Sequence, residues 1–164
     1  MTTTDPPLAC DGPIATALAT WHEFLAGDPS ALDRVLADDA VLHSPVLHRP
    51  QRGKDLVSLY LTGASLTFVG DGNAQAGPRS FPHPSGGDWD GRFRYVRQLV
   101  GDRDAVLEFE TVMGGTFVNG VDLLTVDDDG RIIDVKVMVR PRKAVEAVRE
   151  LMATALEQLG EAAR

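Results

Sequence analysis

The strongest constraint on the fold is a change of hydrophobic period near residue 92. From there to residue 139, apolar and polar residues alternate, and turn-forming sequences interrupt the alternation at Gly101-Asp102-Arg103-Asp104, Gly114-Gly115 and Asp127-Asp128-Asp129-Gly130. A period of two is typical of half-buried strands, and short turns rich in Gly and Asp join such strands into hairpins. The segment therefore predicts an antiparallel meander of three or four long strands.

The residues before the meander favour helices. Residues 13–26 carry an apolar stripe at helical spacing, formed by Ile14, Leu18, Trp21 and Leu25. A second helix is predicted from Asp28-Pro29 to about Asp39, and a third over residues 53–65. Residues 66–69 predict a short strand, and the Gly- and Pro-rich residues 70–91 predict a loop that is either a lid or a mobile excursion. Residues 142–159 form a last amphipathic pattern.

This order of elements predicts an α+β fold, with helices packed on one face of a curved antiparallel sheet. The chain of 164 residues is long enough for a single domain with its own core. We expect a flexible leader over residues 1–12, a domain over residues 13–140, and a C-terminal helix over residues 141–164 packed on the same domain.

Composition narrows the classes of partner. The net charge is −8 and the sequence shows no basic stripe, so neither nucleic acid nor an anionic membrane surface is an expected partner. The one cysteine, Cys10, lies in the polar leader, which has neither the basic start nor the apolar core of a secretion signal. We expect a cytoplasmic protein. No phosphate-binding glycine loop and no metal-ligand spacing of His or Cys occurs, so we expect no organic cofactor and no metal.

Two polar residues mark a strand end before Pro45. His43 titrates near neutral pH and could exchange a proton, or it could be a core histidine bonded to the backbone. Ser44 follows it directly, so the two side chains of an ideal strand point to opposite faces. Both are candidate catalytic residues, although adjacent strand positions do not make a Ser-His pair.

Several short motifs occur in order along the chain: Phe24-Leu25-Ala26-Gly27-Asp28, Leu36-Ala37-Asp38-Asp39-Ala40-Val41, the strand-end Pro45 with Gly53-Lys54, Gly120-Val121-Asp122 and Asp129-Gly130-Arg131-Ile132. In this order they resemble the nuclear transport factor 2-like (NTF2-like) superfamily, and within it the SnoaL-like group. The resemblance spans residues 14–139 and implies a cone-shaped fold, in which a strongly curved sheet wraps around helices and encloses a pocket. Members include steroid isomerases, epoxide hydrolases, polyketide cyclases, dehydratases and modules that only bind or dimerise, so the fold does not fix the function.

The resemblance carries over to few functional residues. Where the steroid isomerases place a catalytic Asp, this chain has Ser44, and their helical Tyr corresponds to about Thr20, beside Trp21. Their second oxyanion donor, a protonated Asp, matches Asp122. In the epoxide hydrolases His43 would stand at a water-binding Asn, but the last strand has no Asp in register. The acid/base residue of the polyketide cyclases has its one counterpart in Asp122.

Asp122 is the third candidate catalytic residue. It lies in an otherwise apolar strand, where a charge is costly unless it is paired, hydrogen-bonded or protonated. By the resemblance its face of the strand lines the pocket; the alternative is an ion pair with an Arg of a neighbouring strand. The expected pocket wall consists of Trp21, Tyr60, Phe68, Tyr95, Phe109 and Val137.

The expected partner is a small, largely apolar molecule, with isomerase, cyclase, dehydratase or hydrolase chemistry left open. The alternative is a dimerisation or interaction module without turnover. Glu108 and Glu110 alternate with apolar residues and are expected on the outer face of the sheet, where Lys136 and Arg140 could pair with them. Because many relatives dimerise through this outer face, we expect a homodimer.

Overall fold

A computed structural model describes residues 12–68 and 80–162, without the side chains of the last two. Within these residues the chain forms four helices and eight strands. Their order is α1 (Pro13–Leu25), α2 (Ala31–Val35), β1 (Leu36–His43), β2 (Gln51–Arg52), α3 (Lys54–Phe68), β3 (Phe81–Pro82), β4 (Asp88–Trp89), β5 (Arg94–Val100), β6 (Asp104–Met113), β7 (Thr116–Val126), β8 (Ile132–Arg140) and α4 (Arg142–Ala162). The predicted leader lies outside the described residues, apart from Gly12.

The six-stranded sheet has the order β2-β1-β8-β7-β6-β5. Strands β5 to β8 form the predicted antiparallel meander, with Asp122 opposite Leu107 on one side and Val137 on the other. The sheet as a whole is mixed, because β1 pairs with β8 in parallel. Strands β2 and β5 lie at the two edges of the sheet, and the meander that begins at β5 ends with β8 beside β1.

The second helix ends earlier than the sequence predicts, and the first strand begins directly after it. The helix begins at Ala31 and ends at Val35, and Asp38 and Asp39 lie exposed in β1 and not at a helix end. Leu36 pairs with Ile132 of β8, and this pairing draws the chain into extended structure. The ladder hydrogen bonds to β8 therefore override a local sequence that is compatible with a helix.

The third helix is longer than predicted. Residues 66–68 continue α3, so the strand predicted over residues 66–69 is not formed; Val69 lies outside the described residues. Gly63 of α3 lies against Leu156 and Met152 of α4, and this packing favours continued helix. Of the predicted loop, residues 80–91 contain the β3–β4 hairpin, and residues 70–79 are outside the described part.

The buried side chains form two clusters on the inner face of the sheet. One joins α1, α2, α3 and β1 to the start of β6, the end of β7 and the start of β8. The other joins α4 and the end of α3 to Phe109 and to the end of β6 and β7 where their hairpin turn lies. Tyr60, Tyr95 and Val137 pack against both clusters. The seam between the clusters is where the cavities described below lie.

Candidate functional site

Asp122 is the one acidic side chain buried in the described part of the core. It is 7% exposed, on the inner face of β7. The Tyr95 hydroxyl donates a hydrogen bond to Asp122 Oδ2 at 2.7 Å, and Trp21 Nε1–H donates to the Tyr95 oxygen at 2.9 Å. In the described residues Tyr95 is the only hydrogen-bond partner of the Asp122 side chain, so its Oδ1 remains available for a ligand.

Burial controls the protonation of this carboxyl group. Loss of solvation raises the pKa of Asp122 to about 7, although the hydrogen bond from Tyr95 acts in the opposite direction. Burial and the neighbouring carboxylate raise the pKa of Tyr95 well above its ordinary value, so Tyr95 stays a donor. Near neutral pH Asp122 therefore exists in both forms, and the neutral form carries a proton that it can donate.

Asp122 opens into an apolar cavity of about 50 Å³. Its other walls come from α1, α3 and the sheet: Trp21, Phe24, Leu25, Leu61, Ala64, Ser65, Phe68, Phe93, Phe109 and Val137. Such a lining, with few polar atoms among aromatic and aliphatic groups, is typical of sites for small molecules.

A second cavity of about 40 Å³ lies beside the first. Its walls are Leu42, Ser44, Pro45, Tyr60, Leu61, Ala64, Phe68, Val137, Val148 and Met152. Leu61, Ala64, Phe68 and Val137 belong to both cavities, so the two hollows are neighbours.

The structure divides the residues that the sequence singled out. Asp122 and Ser44 line the first and second cavity respectively, whereas His43 lines neither. The His43 ring lies on the outer face of the sheet, where Nε2 is 2.9 Å from Asp134 Oδ2. Strand alternation turns it away from Ser44, so its position does not support the expectation that it acts on a ligand in the cavities.

The predicted wall residues also separate. Trp21 and Phe109 line the first cavity, Tyr60 the second, and Phe68 and Val137 both. Tyr95 lines neither cavity, and its hydroxyl instead donates the hydrogen bond that positions Asp122. The sequence does not mark Phe24, Phe93, Val148 or Met152 as wall residues, although the amphipathic pattern of residues 142–159, which contains Val148 and Met152, predicts a buried side for that helix.

The outer-face carboxylates have partners other than those expected. Glu108 pairs with Arg97 of β5 at 2.9 Å, and Glu110 accepts from Arg94 of β5 and pairs with His83 of the hairpin, each at 3.0 Å. The pairing suggested with Lys136 and Arg140 is wrong, because arginines of the adjacent strand β5 pair with both carboxylates. Both carboxylates are therefore tied to the outer surface, away from the cavities.

The described residues supply no other obvious acid or base at the first cavity. Asp122 is the one carboxyl group among the lining residues of either hollow. No group of three or more His, Cys, Asp or Glu side chains in residues 12–68 and 80–162 is placed to hold a metal ion. None of the described helices combines the length and apolarity needed to cross a bilayer. The arrangement is suited to presenting one carboxyl group to a largely apolar molecule.

Several solved protein structures are similar to this chain. Neither a family model nor a curated protein matches the chain. A steroid delta-isomerase from Pseudomonas aeruginosa is 34% identical, over 93% of this chain and 97% of that chain, with a TM-score of 0.75. A protein with a cystatin-like fold from Silicibacter pomeroyi is 29% identical, over 84% and 83% of the two chains, with a TM-score of 0.67. An NTF2-like protein from Mesorhizobium loti, 20% identical over 80% and 97% with a TM-score of 0.57, shares the fold.

Helices packed against a curved mixed sheet, with one buried acid beside an apolar hollow, define an α+β architecture. The chain belongs to the NTF2-like superfamily and has the SnoaL-like form of its fold, which confirms the resemblance found in the sequence.

Proposed function

We propose that this protein binds a small, largely apolar molecule that carries an oxygen atom, with the oxygen held by Asp122. The observation that carries the proposal is the placement of one buried carboxyl group, with Oδ2 fixed by Tyr95, in the wall of an apolar cavity. A neutral carboxyl group donates a hydrogen bond to a carbonyl oxygen, and an apolar surrounding strengthens that bond. The similarity to a steroid delta-isomerase supports a ligand of this kind.

The same geometry supports binding more strongly than a complete reaction. Donation from Asp122 would polarise a carbonyl group, which is one half of an isomerisation or a cyclisation. The other half requires a base, and Ser44, at the position of the isomerases' catalytic Asp, has no activating partner among residues 12–68 and 80–162: its hydroxyl accepts a bond from the Val46 N–H at 3.3 Å. Within the described part of the chain, turnover at this site would therefore depend on Asp122 as the acid.

The binding proposal predicts that a ketone loses affinity as the pH rises through the pKa of Asp122. The sequence has two tryptophans, so Trp89→Phe leaves Trp21, in the cavity wall, as the fluorescent reporter. We expect cyclohexanone to bind more tightly than methylcyclohexane at about pH 5.5, and the ratio of their dissociation constants to shrink by about tenfold at about pH 8.5. A pH effect on the cavity itself would change both dissociation constants by the same factor, so it cancels in their ratio.

The matched control for this measurement is Asp122→Asn in the same Trp89→Phe background. An amide donates a hydrogen bond at every pH, so the ratio for this variant should not change between the two conditions. Absence of binding by either ligand, or a ratio in the parent protein that is independent of pH, would overturn the proposed function.

We also propose that two copies associate through the outer face of the sheet. Leu99 and Met138 on this face are 57% and 53% exposed. Leu99 pairs with Val106, which pairs in turn with Leu123, so apolar side chains cross three strands in one row. An exposed apolar patch can pack against the same patch of a second, identical chain that is related to the first by two-fold symmetry.

The dimer proposal predicts a solution mass of about 35 kDa, twice the 17.7 kDa of one chain. Met138→Glu should raise the dimer dissociation constant by at least about 30-fold, because a charge is then buried in the contact twice. Leu59→Glu is the control, since Leu59 is 42% exposed on α3, away from the sheet. Light scattering across a concentration series measures both; a monomeric parent protein, or equal effects of the two variants, would contradict the proposal.

A further inference from the structure

Three side chains from three different elements form one chain of hydrogen bonds beside the first cavity. Trp21 Nε1 lies 2.9 Å from the Tyr95 oxygen, and that oxygen lies 2.7 Å from Asp122 Oδ2. Trp21 belongs to α1, Tyr95 to β5 and Asp122 to β7. In the part of the chain that the structure describes, Trp21 and Asp122 are the two hydrogen-bond partners of the Tyr95 hydroxyl. The chemistry of these groups therefore fixes the direction of each bond.

The indole group sets the direction of both bonds. An indole N–H can only donate, so the Tyr95 oxygen accepts from Trp21. The Tyr95 hydroxyl has one hydrogen, and a hydrogen turned toward Trp21 would meet the indole N–H. That hydrogen is therefore directed to Asp122 Oδ2. Donation in a single direction along the chain also strengthens each bond, because each bond polarises the next one.

This direction decides where the neutral Asp122 carboxyl group carries its proton. The carbonyl oxygen of a carboxylic acid is a better acceptor than its hydroxyl oxygen, so the bond from Tyr95 makes Oδ2 the carbonyl oxygen. The proton is then on Oδ1, which has no partner among residues 12–68 and 80–162. Without the indole N–H the opposite direction would be favoured, because a carboxylic acid is far more acidic than a phenol and is therefore the better donor. Asp122 would then donate to Tyr95 and present only a carbonyl oxygen to the cavity.

We propose that Trp21 is a positioning residue that determines which ligand oxygen Asp122 recognises. Its N–H keeps Tyr95 a donor, Tyr95 keeps the Asp122 proton on Oδ1, and the site therefore selects a ligand that accepts a hydrogen bond. This inference rests on the proposed function and deepens it, because it assigns the preference for a carbonyl oxygen to the N–H of a residue that is otherwise a buried part of the cavity wall.

Replacement of the indole N–H alone tests the inference. Trp89→Phe leaves Trp21 as the one tryptophan, so biosynthetic incorporation of 3-benzothienylalanine replaces its N–H by sulfur and keeps the two fused rings. Calorimetry at about pH 5.5, below the Asp122 pKa of about 7, compares cyclohexanone, which only accepts hydrogen bonds, with cyclohexanol, which also donates them. We expect the sulfur analogue to lower the affinity for cyclohexanone relative to cyclohexanol by about fivefold. Protein containing 5-fluorotryptophan, which retains the N–H, is the control and should keep the original ratio.

Removal of the Tyr95 hydroxyl separates the direction of the bonds from the packing of Trp21. In the sulfur-containing protein, Tyr95→Phe removes the acceptor that competes for the Asp122 proton, so it should restore the ratio to within about twofold of its original value. A role of Trp21 in packing alone predicts no such rescue. The encoded variant Trp21→Phe, alone and combined with Tyr95→Phe, repeats the comparison. Thermal unfolding of each protein establishes that it is folded at the temperature of the binding measurement.

A measurement without ligand distinguishes failure of this inference from failure of the proposed function. The infrared band that Asp122→Asn removes at about pH 5.5 is the C=O stretch of the neutral Asp122 carboxyl group. We expect this band at higher frequency in the sulfur-containing protein, because the carbonyl oxygen then no longer accepts from Tyr95. If the band shifts but cyclohexanone does not bind, the proposed function fails and the direction of the hydrogen bonds stands. An unshifted band, an unchanged ratio of affinities, or a fall in the ratio that Tyr95→Phe does not reverse would overturn the inference.

Discussion

Replacing Asp122 by Asn should make the protein more stable at about pH 8, by roughly 4 kcal/mol. Burial raises the pKa of this carboxyl from an ordinary value near 3.8 to about 7. At about pH 8 the native protein must therefore hold an ionised carboxylate in an apolar interior, whereas the unfolded chain ionises it in water. Asn is nearly isosteric and its oxygen still accepts the hydrogen bond from Tyr95, but it has no charge to bury.

The direction of the pH dependence follows from proton binding. Between about pH 4 and pH 7 the folded protein binds a proton at Asp122 that the unfolded chain has already lost. The stability contributed by this proton is present in full below about pH 4, and it is lost as the pH rises through about 7. The wild-type free energy of unfolding should therefore fall across this window, and the contribution of position 122 to that fall should vanish in the Asn variant.

Urea unfolding at a series of pH values measures the effect. Asp39→Asn is the control, since it removes the same charge from an exposed position in β1. We expect the Asp39→Asn profile to follow the wild-type profile. Parallel profiles for wild type and Asp122→Asn would contradict the burial of an ionisable carboxyl and would remove the basis of the proposed ligand contact.

Replacing Gly120 by Ala should destabilise the protein by about 3 kcal/mol or more. A Cβ atom at this position would lie 2.4 Å from Phe109 Cζ and 2.6 Å from the Met138 carbonyl oxygen. Phe109 is 2% exposed and has little space in which to move, and the Met138 oxygen belongs to the neighbouring strand β8. Relief of the contact requires displacement of either a buried ring or a strand of the sheet.

The matched control is Gly63→Ala in α3. A Cβ atom there would meet Leu156, Met152 and Leu159 at 3.5 to 3.8 Å, which is ordinary contact. Because Ala favours a helix interior over Gly by about 1 kcal/mol, this variant should be slightly more stable than wild type. In thermal unfolding we expect Gly120→Ala to lower the melting temperature by about 10 °C and Gly63→Ala to raise it slightly. Similar melting temperatures for the two variants would show that the sheet tolerates a methyl group beneath Phe109.

The contact at Gly120 also bears on the cavity. Phe109 lines the first cavity and packs against Phe68 and Phe93, with ring centroids 5.6 and 5.3 Å apart. Because Gly120 has no side chain, the Phe109 ring can lie directly over the sheet at this position. A side chain at position 120 would push the ring toward the space that we assign to the ligand.

The meander could be predicted from the sequence because the alternation of side chains is a property of the strand itself. That the Asp122 side chain lies on the inner face of its strand could be predicted from the alternation of residues 118–126 together with the family resemblance. The role of Tyr95 did not follow. Tyr95 reaches Asp122 across β6, and the β5–β6 register shifts between Tyr95 and Arg97, an irregularity that the local sequence does not indicate.

Errors in the prediction occurred where distant residues decide the local structure. Residues 36–39 are compatible with a helix, and only their pairing with β8 makes them a strand. Alternation required His43 and Ser44 to point in opposite directions, but the choice of which faces inward was made by the register of β1 against β8.

By itself the sequence determined the class of fold, the helices at both ends of the chain, and the presence of one acid on the apolar face of a strand. Those features depend on periodicity and on the solvation of single residues, which are local properties. The tertiary structure decided that Trp21, Tyr95 and Asp122 form a chain of hydrogen bonds and that two neighbouring hollows remain between the core clusters. Such features depend on distances between residues far apart in the chain, which are fixed only when helices and sheet pack together.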